Sequence, residues 1–548
     1  MEKKLLIKEK SFIETEITAV TNEGSGVSRY EGMVVFTPLT APGDLAKIKV
    51  AKVGKSCIYG ELDSVLKPSK DRTDPECEVF GECGGCSLRH LKYEAELREK
   101  TSWVRDHIQR IGGFDIEPFP AIGSPKTEEY RNKAIYQVGK GEKGEPVFGF
   151  YRKKSHDVMD YKNCRLQPKE FSDILDAVGF FVKQNKISVY DEKSHSGLLR
   201  AVYIRKGEVT GEIGICLVLN GDKLPGEKLL VSLLSTQFKN VVSIVLNTNK
   251  ERTNVVLGRK SRTIFGKDGI TDVLCGVTVD ISPAAFYQVN HSGAEILYKT
   301  AADFASLSGG ELVLDLYCGA GTIGLSMAEK AGKLIGVEIV PEAVENAKIN
   351  AERMGVKNAE FICGDAGAAA AELEKRGTAP DVIILDPPRK GCSEDTLEAV
   401  AKMAPKRVVY VSCNTATMAR DFKIMQSLGY EPEKVQPVDM FPKTAHVETV
   451  VLLSREKADD HIRFSINTED LKKNVGGYAT YGDIKAYVLE KFGLKVSSLY
   501  IAQTKDKCGI KERENYYIGE GKSKELICPP EKEKAIMDAF RHFGMLRD

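Results

Sequence analysis

The 548-residue chain reads as a multidomain α/β protein. A small N-terminal β-barrel, a central α+β domain, a Rossmann-like α/β domain and a small, mostly helical C-terminal domain are expected. Three observations predict this. From about Ser282 to Leu453, short buried strands alternate with helical stretches, the pattern of a doubly wound parallel sheet. Residues 10–66 instead alternate short β-rich runs with glycine turns. A charged linker, Glu456-Lys457-Ala458-Asp459-Asp460, then sets off residues 461–548.

Composition narrows the class. Hydrophobic residues make up 42% and charged residues 29%, as in a soluble globular protein, and the length suits several domains. A formal charge of +1 gives no global field for nucleic acid, so any RNA binding rests on local patches. The N-terminal apolar run is too short for a signal peptide, and no stretch approaches the ~18 apolar residues of a membrane span. A cytoplasmic protein with no membrane partner is expected. In that reducing compartment the thirteen cysteines read as core residues, metal ligands or catalysts rather than disulfides.

In the N-terminal region the runs Thr15–Val20, Gly32–Phe36 and Lys47–Val53 suggest a small antiparallel barrel with lysines outside. Lys67-Pro68-Ser69 ends it. A cysteine-rich loop follows (Cys77 to Cys86), then helical periodicity from Lys92 to Ile111, closed by Gly112-Gly113. From Glu128 to about Leu257, runs such as Ala201–Arg205 and Gly214–Leu219 suggest a mixed, largely antiparallel domain. The strands of the doubly wound region are expected at Glu311–Leu316, Leu334–Glu338, Ala359–Ile362, Val382–Leu385, Arg407–Val411 and Val447–Leu453. Beyond the linker, Tyr478–Ile484 followed by Gly493–Ser498 hints at helix–turn–helix.

Val313 to Gly324 reads as strand, glycine loop, helix, with Gly319, Gly321 and Gly324 in the spacing G-x-G-x-x-G. Alone this is weak, since dinucleotide enzymes and methyltransferases share it. Glu338 ends the next strand, where a carboxylate suits ribose hydroxyls. Together they favour a bound nucleoside. A dinucleotide needs its pyrophosphate at the helix N-terminus. S-adenosylmethionine brings a cationic sulfonium instead, and Asp315 in the loop suits that cation better than a phosphate. Asp365 ends the third strand, where it is either a group for the adenine amino end or a turn aspartate. The fourth strand ends in Asp386-Pro387-Pro388-Arg389, whose prolines stiffen the backbone where a flat substrate can be gripped.

Cys413 ends the fifth strand, with a helix from Thr415 to Ser427 directly after it. That helix N-terminus is expected to favour thiolate over thiol. A buried small hydrophobe is the commoner fate of a cysteine, but strand-end position and Asn414 weigh against it. Pyrimidine chemistry fits. A thiolate adding at C6 makes C5 nucleophilic, and a base then removes the C5 proton. In Ala445–Val450 a strand period of two puts His446 and Glu448 on one face, and Glu448 is the candidate base. Cys77, Cys83 and Cys86, with Cys164 as fourth ligand, suit either zinc or an iron–sulfur cluster, and spacing does not separate the two.

These motifs, in this order over about residues 10–455, resemble the uracil-5 RNA methyltransferases, in particular the iron–sulfur branch acting on 23S ribosomal RNA. The resemblance implies methylation of uridine C5 through a covalent Cys413–C6 adduct, with Glu448 as proton acceptor. Cys77, Cys83, Cys86 and Cys164 match the four [4Fe-4S] ligands, which decides against zinc. Ala285–Asn290 resembles a Gln-Val-Asn motif, so Gln288 is implied to contact S-adenosylmethionine. Tyr317, Glu338 and Asp386 match further cofactor or substrate positions. Thr322 and Asp365 are carried over as cofactor-binding, although some relatives carry asparagine there. Tyr130–Lys133 resembles a substrate-contacting stretch, in which Arg131 and Lys133 suit phosphate.

The implied division is a TRAM-type RNA-binding barrel over 1–68 and an iron–sulfur loop with central RNA-binding domain over 69–260. A class I methyltransferase domain follows over 261–456, then a helical domain without assigned function over 461–548. The helix near residues 92–112 is implied to pack on the catalytic domain. The expected partner is ribosomal RNA and the expected state a monomer. The T-loop uridine of transfer RNA is the alternative substrate.

Overall fold

In the computed structural model the described residues are 7–455, 481–508, 528–543 and 545–546. The first sheet holds β1 (Phe12–Glu16), β2 (Ala19–Val20), β3 (Ser25–Tyr30), β4 (Met33–Pro38), β5 (Leu45–Val53) and β6 (Cys57–Lys67), in the order β1-β5-β6-β4-β3-β2. Strict alternation along β5 buries Ala46, Ile48 and Val50 and turns Lys47 and Lys49 outward. Thr15 Oγ1 on β1 donates to the Arg29 carbonyl on β3 at 3.0 Å, so the sheet curls back on itself. One pairing corrects the expected antiparallel barrel: β4 and β6 run parallel. Two chain reversals through β5 return β6 to the direction of β4.

The next element is α1 (Tyr93–His107), which widens into a π-type turn over Ile108–Gly112. Its buried side includes Glu96, Lys100, Trp103 and Val104. Trp103 Nε1 donates to the Val20 carbonyl at 2.5 Å, tying the helix to the first sheet. Val104 and Ile108 enter the same apolar core as Leu314, Ile383 and Met418 of the later α/β region. Lys100 has no exposed surface. Its Nζ donates to Glu96 Oε1 at 2.8 Å, to Asp439 Oδ1 at 2.7 Å and to the Phe441 carbonyl at 3.2 Å. Burial alone would pull its ammonium down, and the two flanking carboxylates outweigh that.

The second sheet contains β7 (Lys133–Lys140), β8 (Pro146–Tyr151), β9 (Val158–Asp160), β10 (Leu199–Lys206), β11 (Ile213–Leu219), β12 (Val241–Thr248) and β13 (Lys260–Gly266). Their order is β13-β12-β11-β10-β7-β8-β9, antiparallel except between β11 and β12. Helices α2 (Glu170–Gln184) and α3 (Glu227–Gln237) bury Phe171, Val178, Phe181, Leu230 and Leu234 against one face. A hairpin, β14 (Ile270–Leu274) and β15 (Val277–Ile281), then delivers the loop that carries Gln288.

From here α4 (His291–Ala305) leads to β16 (Leu312–Leu316), α5 (Thr322–Ser326), β17 (Lys333–Glu338), α6 (Pro341–Arg353), β18 (Ala359–Cys363) and α7 (Ala366–Lys375). The chain continues through β19 (Val382–Leu385), α8 (Glu394–Lys402), β20 (Arg407–Ser412), α9 (Thr415–Ser427), β21 (Tyr430–Val438) and β22 (Glu448–Arg455). The order β18-β17-β16-β19-β20-β22-β21 reverses between β16 and β19, which opens a ligand crevice beyond the strand ends.

The expected all-parallel sheet is corrected. β18 to β20 are parallel, whereas β22 runs antiparallel to both β20 and β21. β21 has no counterpart in the sequence reading. Pro432 and Pro437 interrupt its pattern, and the strand tolerates them as an edge strand with a register shift between Pro432 and Lys434.

Residues 1–456 form one compact unit and 457–548 a second. In the second, α10 (Tyr481–Phe492), α11 (Ser498–Lys507) and α12 (Pro530–His542) bury Ile484, Val488, Ile501, Ile536 and Phe540 together. The linker and Tyr478–Thr480 lie outside the described residues.

Replacing Lys100 with methionine strands two carboxylates in the interior. We expect a loss of about 3–5 kcal/mol of stability, read from urea denaturation.

Candidate active site

Asn414 organises the turn after β20. Its Oδ1 accepts from the backbone N–H of Ala416 and Thr417 at 3.2 and 3.4 Å, capping α9. Its Nδ2 donates to the Arg389 carbonyl at 3.2 Å, and Thr417 Oγ1 donates to the same oxygen at 3.2 Å. The Asp386–Arg389 turn is thereby fixed to the Cys413 turn. Ser412 pairs with Thr449, so Cys413 and Glu448 are the next residues outward along the neighbouring strands β20 and β22. The structure brings Cys413, Glu448, Asp386 and Arg389 into one electrostatic neighbourhood.

Two sequence expectations change here. Cys413 was expected as a ready thiolate. Burial pushes its thiol up, the Glu448 carboxylate pushes it further, and only the Arg389 guanidinium beside it opposes. His446 and Glu448 were expected on one strand face. β22 starts only at Glu448, so the period of two does not extend back to His446, which is exposed in the preceding loop.

Glu448 is 6% exposed. Burial, assisted by Asp386, pushes its carboxyl up to about 8. Burial likewise pushes Asp386 up to about 7 and Asp315 up to about 8. Asp386 and Glu338 add to the shift of Asp315. Asp315 Oδ1 is buried and has no hydrogen-bond partner. A crevice that gathers three buried carboxyl groups, one oxygen of Asp315 being without a partner, fits a cationic ligand, and the sulfonium and amino groups of S-adenosylmethionine supply that chemistry.

The glycine loop closes over the same end. Gly321 has φ +78° and opens α5. Gly324 N donates to Asp315 Oδ2 at 3.0 Å, and a Cβ on Gly324 would lie 2.9 Å from that oxygen. Glu338 accepts from Gly319 N at 3.1 Å and Val340 N at 2.9 Å, bridging the loop to the end of β17. Tyr317 stands at φ +68° beside this loop, and Thr322 Oγ1 shares a hydrogen bond with Tyr298 at 3.1 Å.

Asp365 caps α7 through Oδ1, which accepts from Gly367 and Ala368 N–H at 3.1 Å each. Gln288 is half-buried, its carbonyl held by Asn132 Nδ2 at 2.9 Å. Asn290 caps α4 and also donates to the Met440 carbonyl at 3.0 Å.

Cys77, Cys83, Cys86 and Cys164 come from two distant segments, and the thiols of Cys83, Cys86 and Cys164 are each raised in part by neighbouring cysteines of the set. Burial is the larger cause and pushes Cys164 up to about 12. Among the described residues no three His, Cys, Asp or Glu side chains group closely enough to hold a metal ion. Four cysteine thiols are the donor set that a four-iron cluster takes.

Sequence reasoning overlooked two features of the crevice. Arg389 follows the two prolines, and its charge beside Cys413 has no local sequence signal. Phe286 is 81% exposed in the Gln288 loop, an aromatic face turned to solvent.

A family model described as tRNA (Uracil-5-)-methyltransferase matches residues 246–456. An "uncharacterized RNA methyltransferase" of Clostridium tetani is 41% identical over 454 residues, 83% of this chain and 98% of its own length. A Bacillus cereus protein of the same description is 43% identical over 450 residues, 82% of this chain and 98% of its own. Among solved structures, the tRNA (uracil-54, C5)-methyltransferase of Pyrococcus abyssi in complex with S-adenosyl-L-homocysteine is similar. Its TM-score is 0.64 at 27% identity, covering 80% of this chain and 100% of that one.

Fold, crevice and relatives define an S-adenosylmethionine-dependent methyltransferase acting on RNA. The chain belongs to the RNA (uracil-5-)-methyltransferase family. Among the described residues no helix is long and apolar enough to cross a membrane.

The Glu448 shift has a stability consequence with a definite sign. The folded value near 8 exceeds the ordinary 4.5, so the neutral carboxyl's contribution is complete below 4.5 and is lost as pH rises through about 8. Glu448→Gln stays neutral throughout. Its stability relative to the parent protein should therefore improve steadily as pH is raised from about 5 to about 9, measured by urea melts.

Proposed function

We propose that the protein methylates C5 of a uridine in 23S ribosomal RNA through a transient bond between Cys413 Sγ and C6. The observation that carries this reading is the adjacency of Cys413 and Glu448 at the ends of β20 and β22, facing Asp386 and Arg389. The target base is flipped out of its RNA into the crevice and gripped beside the Asp386 turn. Arg389 favours the thiolate, which adds to C6 and shifts the C5=C6 electron pair toward C5 and O4. S-adenosylmethionine, when bound, supplies the methyl group as an electrophile on a cationic sulfur. Glu448 then takes the C5 proton. The freed pair restores C5=C6 and expels Cys413. Gln288, Tyr317, Thr322, Glu338, Asp365 and Asp386 are the residues assigned to holding the cofactor.

Three further assignments go with this reading. The first sheet serves as a TRAM-type RNA-binding module. Its exposed Phe12 and Tyr59 and its outward lysines suit stacked bases and phosphates, with Lys47 Nζ lying 4.8 Å from the Phe12 ring centre. Cys77, Cys83, Cys86 and Cys164 hold a [4Fe-4S] cluster. The domains follow the division 1–68, 69–260, 261–456 and 461–548. A second substrate, the T-loop uridine of transfer RNA, is favoured by the likeness to the Pyrococcus abyssi enzyme.

Cys413→Ala should abolish turnover while S-adenosylmethionine still binds. Methylation retained in that variant refutes the nucleophile. Glu448 works as an acceptor only when ionised, so turnover should climb with pH through about 8 and then level off. Unmodified 23S ribosomal RNA and transfer RNA transcripts, offered separately, decide the substrate. Methylation confined to transfer RNA overturns the ribosomal assignment.

Protein prepared without oxygen should carry iron and sulfide in equal amounts, and Cys164→Ser should lose both. Zinc at one equivalent in place of iron refutes the cluster.

A further inference from the structure

The nine residues from Asp439 to Val447 join β21 to Glu448, the first residue of β22. This connection is bound to an unusual degree. Every carbonyl from Met440 to Lys443 accepts a hydrogen bond from a distant part of the chain. Asn290 Nδ2 donates to Met440 O at 3.0 Å, Lys100 Nζ to Phe441 O at 3.2 Å and Tyr130 OH to Pro442 O at 3.0 Å. The backbone N–H groups of Ser87 and Leu88, just past Cys86, both donate to Lys443 O at 3.1 Å. Asp439 is held by Lys100 at 2.7 Å and by the Tyr93 hydroxyl at 2.9 Å.

At the centre of this segment Lys443 stands at φ +68°, a left-handed conformation that a lysine adopts only when its surroundings hold it there. Glu96 is the group that does so. Its Oε1 accepts from Lys443 N at 2.7 Å, and its Oε2 lies 3.9 Å from the Lys443 ammonium. Glu96, Lys100 and Asp439 are fully buried. If stability were their only role, well-packed apolar side chains of similar volume would serve as well. Charge fixes distance and direction in a way that apolar packing does not.

We propose that Glu96 and Lys100 of α1, with Tyr93, are positioning residues for the Glu448 carboxyl: they hold the Lys443 turn so that β22 presents this carboxyl to C5 of the substrate. The proposal rests on the reading of Glu448 as proton acceptor. None of the three touches the substrate. Their effect falls on the last step, release of Cys413, and spares the earlier bond formation.

The test uses the full-length protein, S-adenosylmethionine and the RNA transcript that the parent protein methylates. Turnover and the covalent protein–RNA adduct, resolved on a denaturing gel, are followed together. Glu96→Gln and Tyr93→Phe should form the adduct at the parent rate and release it on the order of tenfold more slowly, so that it accumulates. A purely structural role predicts that formation and release fall in parallel, and that outcome, or unchanged release, overturns the proposal. Tyr93→Phe removes one hydroxyl and decides alone if Glu96→Gln fails to fold. Glu448→Gln is the reference. If it accumulates no adduct, the proton-acceptor reading itself fails. If it does while the other two variants do not, only the positioning role fails.

Discussion

The buried contact of Lys100 with Glu96 and Asp439 is the constraint on which the rest of the molecule depends. Taking three charges out of water costs several kcal/mol per ion, and only close, well-directed hydrogen bonds offset it. The helix that carries Lys100 can therefore dock in one position and not slide. That helix also meets the first sheet through Trp103 and Val20, and the start of α9 through His107 Nδ1, 2.5 Å from Thr415 Oγ1. One element early in the chain thus sets the N-terminal sheet, the turn after Cys413 and the approach to Glu448 relative to one another.

The crevice these elements enclose is dominated by buried carboxyl groups. Asp315, Asp386 and Glu448 are drawn from three strands, and each is held well above the ordinary carboxylate range by burial. The same burial and the same Glu448 raise the Cys413 thiol, against Arg389. The candidate base thus raises the candidate nucleophile. Cys413 favours its protonated form for as long as Glu448 is charged. A cationic cofactor relieves the carboxyls, which links occupancy of the glycine-loop side to the charge state of the Cys413 side. This linkage follows from proximity and requires no movement of the chain.

Much of this was legible in the sequence, for identifiable reasons. β16, β17, β19 and β20 are buried on both faces, so their apolar runs stand out between helices. Gly319, Gly321 and Gly324 announce a tight turn because the first two take positive φ and no side chain fits beside Asp315 at the third. β21 was hidden, since Glu431, Pro432, Glu433 and Pro437 break any hydrophobic period along this edge strand. The parallel β4–β6 pairing was hidden too, because nothing local to either strand states the direction of its partner. Asp365 was recognisable as a residue of either of two kinds, and its capping bonds, made through Oδ1 alone, are compatible with both.

What the sequence determined by itself was the set of elements and the chemistry of their ends: which runs are strands, which loops carry glycine, and where a thiol, a carboxyl or a cysteine cluster falls. Period and turn chemistry are local properties and are written locally. Only the tertiary structure decided which of these groups face each other and in what protonation state. Lys100 and Asp439 are separated by 339 positions in the chain, yet their atoms lie 2.7 Å apart. Electrostatic energy depends on such distances and on exclusion of water, and neither exists until the chain has folded.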